Sequence, residues 1–291
     1  MPREVGATLD QRPTLDTRHM TLTLAPLHGI PMIRRGDDLA EIILASLHTS
    51  HLTLHDDDIL ALTSKIVSKA EGCRVNLATV APGEQAVELA TRSKKDPRLC
   101  ELILNESNEI LRVRAGTIIV EHRLGFVCAN AGIDYSNVGM SLSNGFYHPE
   151  KATEVTTTSG SKEEWVLLLP EDPDRSAAEI RRKLEAATGN RLGVMIIDSH
   201  GRAWRQGVVG TAIGLSGLPG LVDLRGQADI FGYTLRITQV GAADELAAAA
   251  SLVMGQAAES TPVIHVRGFP YPLREGALKE LLRPKEQDLF R

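Results

Sequence analysis

The chain has 291 residues, of which 43% are hydrophobic and 24% are charged, and its formal net charge is −5. This composition is globular and excludes a wholly disordered chain. The sequence has no run of Lys and Arg that would follow a nucleic-acid backbone, and no apolar stretch near the roughly 20 residues that cross a bilayer. Because the N-terminus also lacks the apolar core of a secretory signal, we expect a cytoplasmic protein that binds neither nucleic acid nor membrane.

Hydrophobic periodicity predicts both helices and strands after a polar extension at residues 1–19. Helical spacing behind acidic or small capping residues indicates helices, and short apolar runs or alternation indicate strands. In chain order the predicted elements are a strand at 21–27, a helix at 39–48, a strand at 58–63, helices at 84–94 and 99–106, strands at 118–121 and 126–129, a helix at 176–187, strands at 194–197 and 235–240, and a helix at 242–254.

The order of these elements favours an α+β fold with mixed sheets and packed helices, because short strands do not alternate regularly with helices as in a doubly wound sheet. Residues 20–291 are expected to form the folded unit, with one or two lobes. Residues 143–162 are rich in Ser, Thr, Gly and Asn and predict a long surface loop or mobile flap within it.

Two lysines follow the predicted strand at 58–63. Lys65 and Lys69 are four residues apart, so one helical turn would place both ammonium groups on one face, with the Ser64 hydroxyl nearby. This arrangement suits phosphate, although the surrounding sequence is not that of a P-loop. Taken alone, the two lysines are more typical of a solvent-facing helix surface.

Two carboxylates are expected near the ends of apolar strands. Asp134 lies in a Gly-containing turn after one strand, and Asp198 ends another. Such a pair can share a hard cation such as Mg²⁺ or Mn²⁺, but Asp also caps turns frequently. His200 could be a ligand or base, and an ordinary polar loop histidine is the alternative favoured by the lack of a His or Cys partner.

Glycine-rich segments carry further polar residues. Arg202 and Arg205 precede the run GVVGTAIGLSG, and their guanidinium groups suit phosphate or carboxylate, with surface ion pairs as the alternative. Gly255 follows the predicted helix at 242–254, where a C-terminal glycine is common, and Gln256 comes next.

Taken together, these segments resemble the F420-0:γ-glutamyl ligase family, also called coenzyme F420-0:L-glutamate ligase, in its stand-alone form. The resemblance is carried by HGIPMI at 28–33, SKIVSKAEG at 64–72, NAGIDYSN at 130–137, the run DSHGRAWRQGVVGTAIGLSG at 198–217, and the Met-Gly loop at 254–261. It covers about residues 20–268. Each motif alone could arise by chance, but their order and spacing in one chain are specific.

The resemblance implies a GTP-dependent ligase that phosphorylates the terminal carboxylate of coenzyme F420-0. The amine of L-glutamate then attacks this acyl phosphate, giving glutamyl F420 (F420-1) and, where the tail is extended, longer γ-linked products. It also implies an F420 ligase-like fold, an intertwined homodimer and two divalent cations, Mg²⁺ or Mn²⁺, with K⁺ as a further candidate.

The resemblance also assigns roles to residues of this chain. Lys69 is the candidate catalytic cation, and Arg202 and Arg205 are candidate substrate-binding residues. Asp134 and Asp198 would hold one metal, and Ser199 and Gln256 would help to hold the second. The residues expected to bind the nucleotide are Ile30, Pro31, Met32, Ile33, Ser64, Lys65, Lys69, Asn137, Met254, Gly255, Gln256 and Thr261.

Two alternatives stay open at this point. One is a nucleotide-dependent amide ligase, for example ATP-grasp-like, that acts on another carboxylate. The other is a non-catalytic, nucleotide-binding dimer built on the same scaffold. The presence of Asp134, Asp198 and Lys69 together argues against the second alternative, because a sensor has no need of a metal pair beside a phosphate-binding cation.

Overall fold

The computed structural model describes residues 21–135 and 164–288. The predicted N-terminal extension at 1–19, the predicted surface loop at 143–162 and Asn137 lie outside these described residues. The helices and strands are, in chain order, β1 (Thr23–Pro26), α1 (Leu39–Thr49), β2 (Asp58–Thr63), α2 (Ser64–Glu71), β3 (Arg74–Asn76), α3 (Glu84–Ser93), α4 (Pro97–Asn105), β4 (Ser107–Arg114), β5 (Thr117–His122), β6 (Val127–Ala129), β7 (Trp165–Leu167), α5 (Pro173–Thr188), β8 (Leu192–Gly201), β9 (Val208–Ser216), β10 (Val222–Asp223), β11 (Gln239–Val240), α6 (Ala242–Met254) and β12 (Val263–Arg267).

The largest sheet has five strands in the order β1-β12-β2-β8-β9. β2 and β8 are parallel, and every other neighbouring pair in this sheet is antiparallel. Smaller antiparallel sheets are formed by β4-β5-β6, by β3-β7 and by β10-β11. The fold is therefore α+β with mixed sheets and packed helices, as the sequence predicts.

Helices cover both faces of the five-stranded sheet. Successive side chains of a strand point to opposite faces, so Leu60 and Leu62 of β2 pack with α1, α2 and α5, whereas Ile59 and Ala61 pack with α6. All four side chains are fully buried. This explains why β2 reads as a continuous apolar run in the sequence rather than as an alternating one.

A smaller core lies between the three-stranded sheet and helices α3 and α4. Ile118 and Val120 of β5 contact apolar side chains of both helices and of β6. Phe126, which precedes β6, packs against this core and also against the core formed by α1, α2 and α5. The three-stranded sheet therefore docks on the larger sheet through a side chain beside β6.

Close contacts between β9 and two helices account for the glycines of the run at 207–217. A Cβ atom at Gly210 would lie 2.5 Å from the carbonyl oxygen of Ala247 in α6, and one at Gly214 would lie 2.5 Å from Pro173 in α5. Such distances are far below van der Waals contact. The two glycines allow helices to pack directly on the strand backbone.

Most predicted elements are present with ends shifted by one to three residues, and β2 and α6 have the predicted bounds. Three differences matter. β8 continues to Gly201, so Asp198 lies inside the strand rather than at its end. The predicted strand at 235–240 is reduced to Gln239–Val240. β3, β4, β7, β9, β10 and β12 were not predicted as strands. β4 and β12 contain several charged or polar residues between the apolar ones, and glycines interrupt the apolar run of β9.

Within residues 21–135 and 164–288, no helix combines the length and apolar character that crossing a bilayer requires.

Candidate functional site

The first turn of α2 is the structural centre of the candidate site. β2 ends at Thr63, whose hydroxyl oxygen accepts a hydrogen bond from the Lys65 amide at 3.3 Å and caps the helix. The helix ends at Gly72, whose φ of 81° lies in the left-handed region that glycine adopts without strain. The predicted helical turn that carries Ser64, Lys65 and Lys69 is therefore confirmed.

Consecutive residues of this turn contact the two predicted metal-binding carboxylates. The hydroxyl of Ser64 donates to Oδ1 of Asp198 at 2.8 Å. Nζ of Lys65 lies 2.6 Å from Oδ2 of Asp134. The parallel pairing of Thr63 with Ile197 places the start of α2 beside Asp198. Asp134 and Asp198, which are far apart in the sequence, thus both contact the first turn of one helix.

Backbone hydrogen bonds hold Asp134 in place. Its amide donates to the carbonyl of Leu167 at 3.0 Å, and its carbonyl accepts from the Leu167 amide at 2.9 Å. Leu167 is the last residue of β7 and is buried. Asp134 therefore follows the Gly-containing turn at Asn130–Gly132 and is held by strand-like pairing with the last residue of β7.

Lys69 lies one turn further along α2. Burial lowers the pKa of its ammonium group, and the nearby cations Lys65 and Arg74 lower it further, whereas Asp134 raises it. These influences place three cations and one carboxylate in a common electrostatic environment. An anionic ligand would stabilise the charged form of Lys69, as the predicted phosphate-binding role requires.

The groups around Asp198 favour the ionised form of its carboxyl group. Burial alone would raise the pKa of its carboxyl group, but the adjacent His200 ring, the Ser64 hydroxyl and the Ser199 amide together hold that pKa below its ordinary value. The neighbouring thiol of Cys128 behaves in the opposite way. Burial, with a further contribution from Asp198, raises its pKa to about 12, so Cys128 is not an activated nucleophile.

The second pair of predicted metal-binding residues lies on the other face of β8. Oε1 of Gln256 accepts a hydrogen bond from the Ser199 hydroxyl at 3.1 Å, and its Nε2 donates to the Ser251 hydroxyl of α6 at 2.9 Å. Asp198 instead faces α2. The adjacent residues Asp198 and Ser199 thus point to opposite faces of the strand, as its pleat dictates.

The predicted nucleotide-binding segment after α6 begins where the sequence places it. Gly255 follows the helix with a φ of 76°, which favours glycine, and its amide donates to the Ser251 carbonyl at 3.2 Å. The hydroxyl of Thr261 donates to the carbonyl of Met254 at 2.9 Å and closes the loop on itself. The carbonyl of the next residue, Pro262, accepts from the Thr63 amide at 3.0 Å, so this loop ends beside the start of α2.

The predicted nucleotide-binding residues 30–33 lie between β1 and α1 and differ in their exposure to solvent. Ile30 is partly buried, Ile33 is buried, and Pro31 and Met32 are exposed on the segment before α1. This segment is joined to the end of α2 by a hydrogen bond from the Gly36 amide to the Ala70 carbonyl at 2.8 Å. It therefore lies next to α2, and its contact with a nucleotide stays a prediction.

Arg202 and Arg205 lie on the exposed turn between β8 and β9. Nη2 of Arg202 donates to the Gln206 carbonyl at 3.0 Å, within the turn itself. The side chains are not joined to α2 by the hydrogen bonds that organise the rest of the site. Their role in substrate binding stays a prediction.

The donor atoms of the site fit Mg²⁺ or Mn²⁺ bound together with phosphate. Asp134, Asp198 and Gln256 offer oxygen atoms, which hard cations prefer. Among the described residues, no group of three or more His, Cys, Asp and Glu side chains could hold a metal by protein ligands alone. Mg²⁺ is usually bound by one or two carboxylates together with waters and substrate phosphates.

His200 does not lie in the polar loop that the sequence favours. The side chain lies in β8 rather than in a loop, is 9% exposed, and has Nε2 3.2 Å from Oδ2 of Asp198. Its ring is tilted against Phe126, with the ring centroids 5.1 Å apart. The spacing of two residues from Asp198 was the available signal, because it puts both side chains on one face once the strand extends to Gly201.

Comparisons with known proteins give matches over most of the chain. Residues 29–268 match the family described as F420-0:Gamma-glutamyl ligase. A coenzyme F420:L-glutamate ligase from Methanothermobacter thermautotrophicus is 45% identical over 274 residues, which are 94% of this chain and 100% of that protein. Proteins of the same name from Methanopyrus kandleri and Methanocaldococcus jannaschii are 43% and 38% identical, covering 93% and 90% of this chain and 98% and 94% of their own lengths.

Proposed function

This chain belongs to the F420-0:γ-glutamyl ligase family and is a ligase, and from that premise we propose that it joins L-glutamate to coenzyme F420-0 with GTP as co-substrate. The observation that supports this proposal most strongly is the convergence at the start of α2. There, Ser64 and Lys65 contact Asp198 and Asp134, with Lys69 one turn away. A helix N-terminus with adjacent cations favours phosphate, and the two carboxylates suit the cation that accompanies it.

The proposed reaction has two steps. In the first, an oxygen of the F420-0 carboxylate forms a bond to the γ-phosphorus of GTP, the bond to the β-phosphate oxygen breaks, and GDP leaves. In the second, the glutamate amine attacks the carbonyl carbon of this acyl phosphate. Phosphate leaves with the bonding electrons, and the nitrogen loses a proton. The product is glutamyl F420, with further γ-linked glutamates where the reaction repeats.

The residues contribute mainly by positioning and by charge. Phosphoryl transfer between two anions requires that they be held together and that their negative charge be offset. Lys65 and Lys69 supply positive charge on one helix face, and Ser64 holds the Asp198 carboxylate. Asp134 and Asp198 would hold one Mg²⁺ or Mn²⁺ ion, and Ser199 and Gln256 would help to hold a second; such ions would offset negative charge on the phosphates.

The nucleotide would lie between the loop at 254–261, the segment at 30–33 and helix α2. The loop from Met254 to Thr261 ends beside the start of α2, and the segment with Ile30, Pro31, Met32 and Ile33 is joined to the end of that helix. Asn137 follows Asp134 by three residues in the sequence and completes the proposed set. K⁺ is a further candidate ion for the phosphates.

We also propose that the protein acts as a homodimer. Trp204 on the turn after β8 and Ile230, Phe231 and Ile237 between β10 and β11 are each about 90% exposed, with values from 88% to 91%. Large apolar side chains at this exposure favour burial against another surface. A second copy of the chain is the proposed partner, and light scattering after size-exclusion chromatography measures its presence. Ile230→Asp and Phe231→Asp together should shift the mass to that of a monomer.

The ligase activity is tested by incubating the protein with F420-0, L-glutamate, GTP and Mn²⁺ and measuring product masses. We expect F420-0 to gain one or more glutamate residues while GTP is converted to GDP and phosphate. When hydroxylamine replaces glutamate, an acyl phosphate should be trapped as the hydroxamate of F420-0. Product formation with ATP but not GTP would refute the nucleotide assignment, and failure to modify F420-0 would refute the substrate.

Variants connect this activity to the site. Asp134→Asn and Asp198→Asn should each abolish product formation without loss of the folded state, because they remove carboxylates proposed to hold the metal. Asp57→Asn is a matched control, since Asp57 is exposed, pairs with Arg191 and precedes β2 at the end opposite to the site. Turnover by Asp198→Asn at the wild-type rate would exclude Asp198 from the catalytic site.

A further inference from the structure

His200 has a side-chain environment that the proposed reaction leaves unexplained. Its Nε2 atom is buried and makes no hydrogen bond within the part of the chain that the structure describes. The atom nevertheless lies 3.2 Å from Oδ2 of Asp198, outside hydrogen-bond geometry. Burying an imidazole nitrogen in this way is costly unless it gains a partner. The partner within reach is the carboxylate oxygen that Ser64 does not occupy.

The ring of His200 is fixed from the side of the three-stranded sheet. The ring of Phe126 contacts two histidine rings, with centroid distances of 5.1 Å to each: His122 is stacked on it at an interplanar angle of 4°, and His200 is tilted at 45°. Phe126 directly precedes β6, and the chain then continues to Asp134. The contact between His200 and Phe126 thus links the strand that carries Asp198 to the segment that carries Asp134.

We propose that His200 is a positioning residue that orients the Asp198 carboxylate for binding of a divalent cation. In this arrangement the Ser64 hydroxyl holds Oδ1, His200 faces Oδ2, and Phe126 fixes the ring. The inference rests on the proposed function, in which Asp198 helps to hold the metal. A carboxylate oxygen that receives one hydrogen bond keeps a lone pair for a cation, so both contacts are compatible with metal binding. Groups that orient a ligand in this way affect metal affinity without touching the metal.

His122 provides a matched control within the same protein. Like His200, it is buried, has an Nε2 atom without a hydrogen bond among the described residues, and packs on Phe126. Its Nδ1 accepts from the Leu124 amide at 3.1 Å, and its Nε2 lies 3.5 Å from Glu106. The two histidines therefore differ mainly in their carboxylate neighbour, which is Asp198 for His200 and Glu106 for His122.

The test compares His200→Phe, His200→Gln and His122→Phe in the full-length protein. Both Phe variants keep an aromatic ring against Phe126 and remove the imidazole nitrogens, whereas His200→Gln restores an N–H donor. Mn²⁺ binding is measured from the electron paramagnetic resonance signal of free Mn²⁺, with a non-hydrolysable GTP analogue present. Thermal denaturation without metal reports folding, and ligation assays give kcat and the KM for glutamate.

We expect His200→Phe to weaken Mn²⁺ binding roughly 10–100-fold, the usual effect of removing a group that orients a metal ligand. His200→Gln should recover most of this loss, and His122→Phe should keep wild-type Mn²⁺ affinity even if it unfolds at a lower temperature. The half-saturating Mn²⁺ concentration should rise in His200→Phe, with the KM for glutamate unchanged.

Two results would refute the role of His200 and leave the proposed metal site standing. One is wild-type Mn²⁺ affinity in a folded His200→Phe protein, and the other is an equal loss of Mn²⁺ affinity in the two Phe variants. The second result would assign both histidines a purely structural role. If the wild-type protein itself binds no Mn²⁺ beside the GTP analogue, the proposed metal site fails, and the inference fails with it.

Discussion

A buried carboxylate at the start of β2, far from the candidate site, gives the sharpest test of how the large sheet is stabilised. Asp58 is 1% exposed and accepts four hydrogen bonds. Its partners are the His55 amide at 2.8 Å, Nε2 of His265 at 2.8 Å, and Nε and Nη2 of Arg267 at 2.9 and 2.7 Å. These contacts join β2 to β12 and to the loop before β2. We predict that Asp58→Asn destabilises the protein without changing the fold.

The expected loss follows from the burial of this cluster. Removing one partner of a buried ion pair costs about 3–5 kcal/mol, because the other charge stays without compensation. Arg267 is 41% exposed and can regain water, so we expect the lower end, about 3 kcal/mol. For a protein of this size, about 2–4 °C in Tm accompanies each kcal/mol, which gives a decrease of about 6–12 °C.

The pH dependence of stability provides a second measurement. Burial alone would raise the pKa of Asp58, but Arg267, His265 and the His55 amide hold it well below its ordinary value of 3.8. A carboxyl group with a lowered folded-state pKa contributes its full stability above the pKa of the unfolded chain and loses it as the pH falls through the folded value. The difference in unfolding free energy between wild type and Asp58→Asn should therefore be full at pH 7 and shrink below about pH 4.

Urea denaturation at pH 7 and at pH 3, followed by circular dichroism, measures both effects. Asp57→Asn is the control, because the neighbouring Asp57 pairs with Arg191 at the surface, and its φ of 67° suits Asn. Exposed pairs contribute about 0–1 kcal/mol. The reasoning is wrong if Asp58→Asn is no less stable than Asp57→Asn at pH 7, or if the loss is the same at both pH values.

Three further predictions concern the site and the packing around it. Lys69→Met should lower kcat/KM for GTP by about 100-fold or more, because a fixed cation near the phosphates is lost; an unchanged value would exclude that role. Gln256→Glu should lower the half-saturating Mn²⁺ concentration while the new carboxylate still accepts from the Ser199 hydroxyl, and identical titration curves would remove Gln256 from the metal site. Gly210→Ala should cost about 1–3 kcal/mol in denaturation experiments, since its Cβ would overlap the Ala247 carbonyl, whereas Gly201→Ala, with no atom within 4 Å of the new Cβ, should be neutral.

The sequence predicts the elements whose stability depends on local patterns. α1 follows the capping residue Asp38, whose side chain accepts hydrogen bonds from two amides of the first turn, and α6 has the predicted bounds. β2 is an apolar run buried on both faces. β12 was missed because it carries His265 and Arg267, whose polar atoms are satisfied by Asp58, about 200 residues earlier. Such pairing is set by tertiary structure and leaves no local signal.

The same distinction applies to the candidate site. The motifs identify Ser64, Lys65, Asp134 and Asp198 as residues of interest, and the resemblance assigns them roles. Their mutual contacts depend on the parallel register of β2 and β8, which periodicity cannot supply. The burial of His200 could not be predicted either, because it requires β8 to continue beyond the apolar residues that mark the strand in the sequence.

The opposite orientation of Asp198 and Ser199 limits where residues can be inserted or deleted in β8 without disrupting the site. Asp198 faces Ser64 and Ser199 faces Gln256, so inserting or deleting a single residue in β8 before Asp198 would exchange the two side chains between the faces. A carboxylate would then face α6 and a hydroxyl would face α2. Insertions at the turn after Gly201 leave this arrangement unchanged, and we expect relatives that keep the site to differ in length there rather than within the strand.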